Sequence, residues 1–449
     1  MMGRVDHSQT AATRIFVAAT GLLLLSLPFF AADSSLWSVL VGGTFAASLG
    51  LLVLWRRDPL TTSQVLWGAL LLRLAFMPLL PGLTDDLYRY IWDGWLQVEG
   101  LNPYRYQPRD EALASFHSAT IYDRLNSQPY YTVYPPLAQF VFAIGGWFHS
   151  VDWTVSYYVL KGIFATAEFG GVVLLSRLTS ARNLLLYAWN PLVLMETAGQ
   201  GHTEALLVPL IVGAVWAVRR DWGHGASLAV AGAGLVKLYP FILWPFLVRR
   251  YGWTAVWPGL LLVIGVSLPY AAPYTLPHVK ASVDLFSELF EFNAGPYYLA
   301  KYIMRLLTGA DWSKVIGPTF RYTYLSFLGL FYLLDWYKGW SFRRSAMLAI
   351  GVFLFFSTTV HPWYFLPLLA LGILSARPAW PWFWVGLFSV GTYLFYVDGP
   401  YWTWIILGWG GGTGLGVWMY WAELKSLVIA TGRLVVDGTD WARRAYAER

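Results

Sequence analysis

The densest run of chemically capable side chains is Thr84-Asp85-Asp86-Leu87-Tyr88-Arg89-Tyr90-Ile91-Trp92-Asp93-Gly94. The spacing predicts a helix with Thr84 at its N-cap and two acids in its first turn, where free N–H groups and the macrodipole favour negative charge. Asp86, Arg89 and Asp93 then share a face at i, i+3 and i+7, and Arg89 reaches Asp85 or Asp93 at i±4. Gly94, Gly100 and Pro103 are expected to end the helix. A carboxylate kept ionised at a helix N-terminus can take a proton from a hydroxyl as a general base. The same spacing also describes a capped amphipathic helix lying on a membrane surface, and spacing alone does not separate the two.

Further candidates lie far along the chain, in Gly201-His202-Thr203-Glu204, Lys237-Leu238-Tyr239-Pro240 and His361-Pro362-Trp363-Tyr364. Lys237 and His361, with Arg89, are the groups that would hold a phosphate and stabilise it as it departs. The aromatic residues Tyr88, Tyr90, Trp92, Trp95, Tyr104, Tyr131 and Tyr134 suit stacking on sugar faces, or a plain interfacial belt. The plain alternative for Lys237 is snorkelling to the interface, and for His361 a cap on a helix turn. His202 and Glu204 are two residues apart and face different ways on a helix, which makes a poor metal pair. With no His-x-x-x-His spacing and no cysteine, a protein-built metal cage is not expected. A divalent ion shared by Asp85 and Asp86 stays open, and no cofactor is required.

The elements that must position these residues are set by composition. Of 449 residues, 57% are hydrophobic and 12% charged, about half the roughly 25% charge of a soluble chain. That excludes an ordinary soluble enzyme and predicts an all-α polytopic membrane protein, one integral domain of roughly 11–14 crossings of ~20 residues each. The net charge of +6 sits in short loops, so it reports topology rather than nucleic-acid binding. The apolar run from Ile15 to Ala32 reads as a retained first helix, since no small-x-small cleavage site follows it.

Three spans are expected within 14–82, near 14–32, 36–55 and 62–82. An external loop follows at 83–133, central spans at 134–271, a second polar loop at 272–319, C-terminal spans at 320–422 and a basic cytoplasmic tail at 423–449. Arg56-Arg57 after the second span places the N-terminus inside and residue 83 outside. Between 134 and 180 the count conflicts with Arg177 and Arg182. Two full crossings would leave those arginines outside, so one segment is re-entrant or the rule fails there. Elsewhere nearly every arginine pair falls inside. Asp85, Asp86, Arg89, Asp93, His202, Glu204, Lys237 and His361 fall on or near the outer side, as a site at one membrane face requires. Arg73, Lys161 and Glu168 are the ionisable residues placed deep.

An acidic pair opening a large external loop, then Tyr88-Arg89-Tyr90-Ile91-Trp92-Asp93-Gly94 and Gly100-Leu101-Asn102-Pro103-Tyr104, resembles the polytopic GT-C glycosyltransferases. Tyr134-Pro135-Pro136-Leu137, Trp189-Asn190-Pro191-Leu192 and the three later motifs extend the likeness, in order, from about residue 80 to 370. The group most similar is the bacterial polyprenol-phosphate-mannose-dependent mannosyltransferases. The resemblance implies a lipid-phosphate sugar donor, a lipid or glycan acceptor and inverting transfer outside the inner membrane. It puts the general base on Asp86 or Asp85, with Asp86 favoured, and phosphate holding on Lys237 and His361. Arg89, Tyr90, Asp93, His202 and Glu204 are further substrate-binding candidates. Thr203-Glu204 departs from the Asn-Asp or Asn-Glu usual after Gly-His in such proteins. The alternative is a transporter or flippase for a lipid-linked sugar, which would need charges near the midplane.

Overall fold

The computed structural model describes residues 7–432 apart from 118 and 286–289. It is all-α, and among the described residues extended pairing is limited to one bridge, between Phe292 and Thr359. In chain order the helices are α1 (His7–Ala32), α2 (Trp37–Arg57), α3 (Thr62–Phe76), α4 (Asp86–Val98), α5 (Pro136–Gly146), α6 (Trp153–Ser176), α7 (Ala181–Ala188), α8 (Pro191–Leu194), α9 (Glu204–Arg219) and α10 (Gly223–Val236). There follow α11 (Trp244–Tyr251), α12 (Trp257–Ser267), α13 (Thr275–Asp284), α14 (Gly295–Thr308), α15 (Ser313–Lys338), α16 (Phe342–Phe355), α17 (Leu366–Gly372), α18 (Trp380–Ser389) and α19 (Tyr401–Met419). One continuous apolar core runs from α1 to α19.

Four stretches among the described residues are long and apolar enough to cross a bilayer: Ala11–Ala32, Ser34–Arg57, Trp153–Ser176 and Trp253–Tyr270. A bent pair, Pro191–Gly199 with Glu204–Arg219, makes a fifth candidate. The other crossings that hydropathy predicts fall on shorter or broken helices. The expected third span, 62–82, is a 15-residue α3 followed by an irregular stretch. Pro78 and Pro81 account for this, since neither can donate the backbone bond that would carry the helix past Met77.

The parity conflict at 134–180 has a physical resolution. α5 holds 11 residues, or roughly 16 Å at 1.5 Å per residue, about half a ~30 Å hydrocarbon core. It therefore does not cross as a straight helix, whereas the 24-residue α6 is long enough to. The run 183–198, expected as one outward span, is α7 and α8 broken at Asn190-Pro191, then a π-turn over Met195–Gly199. The chain turns by 118° into α9. The second polar loop, 272–319, is largely helical in α13, α14 and the start of α15. The tail arginines Arg443, Arg444 and Arg449 lie outside the described residues.

Two close approaches seat α4 in the bundle. A Cβ on Gly94 would lie 2.0 Å from the Phe142 carbonyl oxygen, and one on Gly146 would lie 2.1 Å from the Gly94 carbonyl carbon. Backbones this near leave no room for side chains. Gly94 is thus the crossing point of α4 and α5 rather than the helix breaker expected from sequence. The helix ends at Val98, with Gly100 in the left-handed region at φ +78°. Nine of the 13 residues of α4 are buried, which excludes a helix lying on the membrane surface.

Candidate active site

Asp86 opens α4, and its backbone N–H is accepted by Thr84 Oγ1 at 3.3 Å. Its carboxylate retains 29% exposure and lies 3.9 Å from His202 Nε2. Burial pushes the Asp86 pKa up from the ordinary carboxylate value, and Asp85 adds to that. His202, Lys237 and the Tyr90 hydroxyl pull the other way. Asp85 turns outward, its Oδ1 accepting from Asn126 Nδ2 at 2.7 Å. Burial raises its pKa too, against the pull of that region's backbone N–H groups. Of the two acids, Asp86 is the one that faces the other ionisable groups.

His202 reaches Asp86 because the elbow between the π-turn and α9 packs against α4. Gly201 sits in the elbow at φ +76°, and a Cβ there would lie 2.8 Å from Leu87. The His202 ring is fully buried and stacked on Trp363, with centroids 3.7 Å apart. His361 stacks on the other side of the motif, 4.4 Å from Trp363 and 4.8 Å from Phe292. The bridge at Phe292 explains the last contact: Phe292 N–H donates to Thr358 O at 3.1 Å, and Val360 N–H to Phe292 O at 2.8 Å. The strap carrying Phe292 is thus pinned beside His361. Burial, with Lys237 and His202 near, pushes the His361 pKa down to about 3, which favours the neutral ring.

Lys237 follows the last residue of α10, pairs with Glu204 at the start of α9, and lies 4.3 Å over the Tyr364 ring. Tyr90 is buried beside Asp86, stacked on Phe142 at 4.4 Å and edge-on to Tyr134. Asp86, His202, Glu204, Lys237, His361 and Tyr90, drawn from four separate stretches of chain, thus meet in one place. Several of the buried polar atoms there lack a hydrogen-bond partner among the described residues: His202 Nε2, Glu204 Oε2 and the Tyr239 hydroxyl. Buried polar groups are nearly always paired, so this concentration marks a place built to receive a polar ligand or water.

Arg89 and Asp93 are placed differently. Their buried pair closes at 2.8 Å. Arg89 Nη1 also donates to the carbonyls of Ser127 and Tyr130, and Asp93 accepts from Thr132 and Gln139. The pair fastens the 127–132 segment to α4. The deep ionisable residues are also committed. Arg73 meets Glu168 at 2.5 Å, and Lys161 Nζ donates to the carbonyls of Phe76, Met77 and Leu79. Among the described residues, no three His, Asp or Glu side chains group in a way that would hold a metal ion.

Sequence reasoning missed Glu196 and Tyr393. Glu196 is fully buried on the π-turn, 3.0 Å from His202 Nδ1, and accepts from the Tyr393 hydroxyl at 2.7 Å. Its signal was an acid within the apolar run Leu192–Ala198, where an ionisable residue marks function by default. Tyr393 carries no such signal.

Fold and site together define an integral membrane protein with an acid–imidazole–lysine cluster walled by aromatic rings. A family model described as the N-terminal domain of alpha-(1->6)-mannopyranosyltransferases matches residues 2–252. The chain belongs to that family, a mannosyltransferase group, and the match contains every site residue read from the sequence except His361. No curated protein and no solved structure matches the chain.

Proposed function

We propose that the protein is a GT-C glycosyltransferase that moves mannose from a polyprenyl-phosphate carrier to a lipid or glycan hydroxyl on the extracytoplasmic face of the bacterial inner membrane. The observation that carries this reading is Asp86, part-exposed and facing the unpartnered His202 Nε2. Asp86 takes the proton of the acceptor hydroxyl as its oxygen attacks the anomeric carbon. The bond from that carbon to the phosphate oxygen breaks on the opposite side, and configuration inverts. Lys237 draws the phosphate by charge, exchanging part of its pairing with Glu204, and neutral His361 offers a hydrogen bond.

A cavity of about 1340 Å³ adjoins the cluster, lined by Phe292, Tyr298, Leu299, Phe395, Trp402 and Ile406 among others. Phe292 belongs to both, since its ring also stacks on His361. A volume of that size, mostly apolar but with Glu291, Lys301, Arg305 and Asp311 in its wall, suits the first isoprene units of a lipid carrier. The pairing of Arg73 with Glu168, and of Lys161 with backbone carbonyls, favours transfer over the transporter reading.

The test is a transfer assay in membranes with radiolabelled polyprenyl-phosphate sugars. Mannose is expected to transfer and Asp86→Asn to abolish it while the protein still inserts. Full transfer by Asp86→Asn removes the base assignment, and label movement across the membrane without a glycosylated product favours transport.

A further inference from the structure

The segment after α18 carries two tyrosines toward the acid cluster. Beyond Ser389 the chain changes from α to 3-10 pitch and runs as a 3-10 helix over Val390–Val397. In α geometry, residues three apart diverge by about 60°. At three residues per turn they eclipse, so Tyr393 and Tyr396 share one face, roughly 6 Å apart along the axis. Tyr393 is buried, and its hydroxyl donates to Glu196 Oε1 at 2.7 Å, which turns that face toward the cluster. Tyr396 comes one turn later, just before the helix ends. There Asp398 is left-handed at φ +54°, and the Gly399 N–H donates to the Leu394 carbonyl at 2.8 Å. The Tyr396 ring is 54% exposed. Phe292 lies near-parallel to it at 27°, with centroids 6.1 Å apart, and Phe395 stands edge-on at 5.4 Å. The charges that reach Tyr396 are those of Asp86 and Asp85. Lys237 lies over Tyr364, against which His361 stands edge-on. A ring that only anchors the protein at the membrane surface would face lipid, whereas Tyr396 shares its face with the inward-pointing Tyr393.

We propose that Tyr396 is the acceptor-binding residue of this site: its exposed ring takes the pyranose ring of a glycan acceptor and holds the reacting hydroxyl at the part-exposed edge of Asp86. The inference rests on the proposed base role of Asp86, and it narrows the acceptor from any hydroxyl to one carried by a sugar ring. Inverting displacement puts the incoming oxygen and the departing phosphate on opposite sides of the anomeric carbon. Lys237 and His361 serve the phosphate side, so the acceptor enters on the side of the acids, where Tyr396 stands. The face of an aromatic ring is electron-rich and the C–H groups of a sugar are slightly positive, so the two rings attract while the sugar hydroxyls stay free to bond elsewhere. The tyrosine hydroxyl adds one polar contact at the rim. An aliphatic alcohol has no ring to stack, which makes Tyr396 a discriminator between a sugar hydroxyl and a lipid hydroxyl.

The test compares octyl α-mannoside with octanol, which share a tail and differ by the sugar. In membranes that hold the protein and labelled polyprenyl-phosphate mannose, octyl α-mannoside is expected to take up label or to compete with the acceptor already there. Octanol at the same concentration should do neither. Tyr396→Ala should raise the KM or Ki of octyl α-mannoside roughly 10–30-fold, as truncation of an aromatic anchor does, and leave the donor KM unchanged. Tyr396→Trp, which keeps a ring face, should restore most of the affinity. A merely structural residue would lower the amount of folded protein and leave both constants in place. If Tyr396→Ala does not fold, Tyr396→Leu, which keeps apolar volume without a ring, must show the same rise. An unchanged constant for octyl α-mannoside in the folded variant overturns the proposal. So does a donor KM that rises equally, an octanol effect equal to that of the mannoside, or a wild type that ignores the mannoside. Should Asp86→Asn be inactive while Tyr396→Ala behaves as wild type, only this inference fails. A wild type that transfers no label from any lipid-phosphate sugar defeats the transfer reading itself, and the subsite with it.

Discussion

At the scale of the residue, Asp86 must be both ionised and reachable, and its environment sets those demands against each other. Burial raises its pKa above the ordinary 3.8, so the base form is lost at a higher pH than for a free carboxyl. Transfer is expected to decline as pH falls through that raised value, with the decline beginning at a higher pH than an unperturbed carboxyl would give. For stability the sign is opposite. Between the unfolded and folded pKa values the folded state binds the extra proton, so this group's contribution weakens as pH rises across that window. Asp86→Asn removes the acid limb along with roughly 10²–10⁴-fold of the rate. A limb that persists in any residual Asp86→Asn activity would assign it to another group. The Arg89–Asp93 pair answers to a different measurement. Arg89→Met leaves Asp93 buried without its cation, which costs about 3–5 kcal/mol. Loss of folded protein on heating in detergent, rather than a selective fall in kcat, is the outcome expected. A stable but inactive Arg89→Met would instead put Arg89 on the substrate.

Elements decide whether those residues meet, and here glycine carries the argument. Gly94 and Gly146 let α4 and α5 cross backbone to backbone, and Gly201 lets the elbow before α9 lie on Leu87. Gly94→Ala places a methyl group against a carbonyl that cannot move without moving α5. A loss of about 1–3 kcal/mol is the least expected from such overpacking. Gly201→Ala adds left-handed strain of roughly 1–3 kcal/mol and pushes His202 off Asp86, so its rate should fall more than its stability. Equal losses in both would mean that the elbow matters only for folding. Sequence could read the acids and the aromatic spacing, because they are local, but it set the N-cap of α4 at Thr84 where the helix is capped at Asp85, leaving Asp86 alone in the first turn. It could not read Gly94 correctly, because a helix breaker and a helix crossing differ only in whether Phe142 stands opposite. The run 183–198 misled for a related reason: hydropathy passes unbroken through a π-turn that geometry uses to reverse the chain. Glu196, hidden in that run, went unseen with it, whereas Asp86, His202, Lys237 and His361 each stood at a polar break and were legible.

The whole molecule turns that local geometry into a statement about sides of a membrane. α9 begins at Glu204 and ends at Arg219 after 16 residues, about 24 Å along its axis. α10 returns 14 residues, about 21 Å, from Gly223 beside Asp221-Trp222 to the Lys237 that meets Glu204. The two helices therefore carry the ion pair at one end and Arg219-Arg220 at the other, separated by much of a ~30 Å hydrocarbon core. Arginines of short loops stay in the cytoplasm, so on the proposed reading the end bearing Glu204, Lys237, His202 and Asp86 is expected outside. A reporter active only outside the cytoplasm, fused near residue 110, should give signal, and one fused after Arg220 should be silent. The reverse pattern would put the cluster on the cytoplasmic side, where a soluble sugar nucleotide is at hand, and would remove the reason for a lipid carrier. The pattern expected would agree with the lipid-anchored donor of the proposed function, with Asp86 and His202 on the outer side.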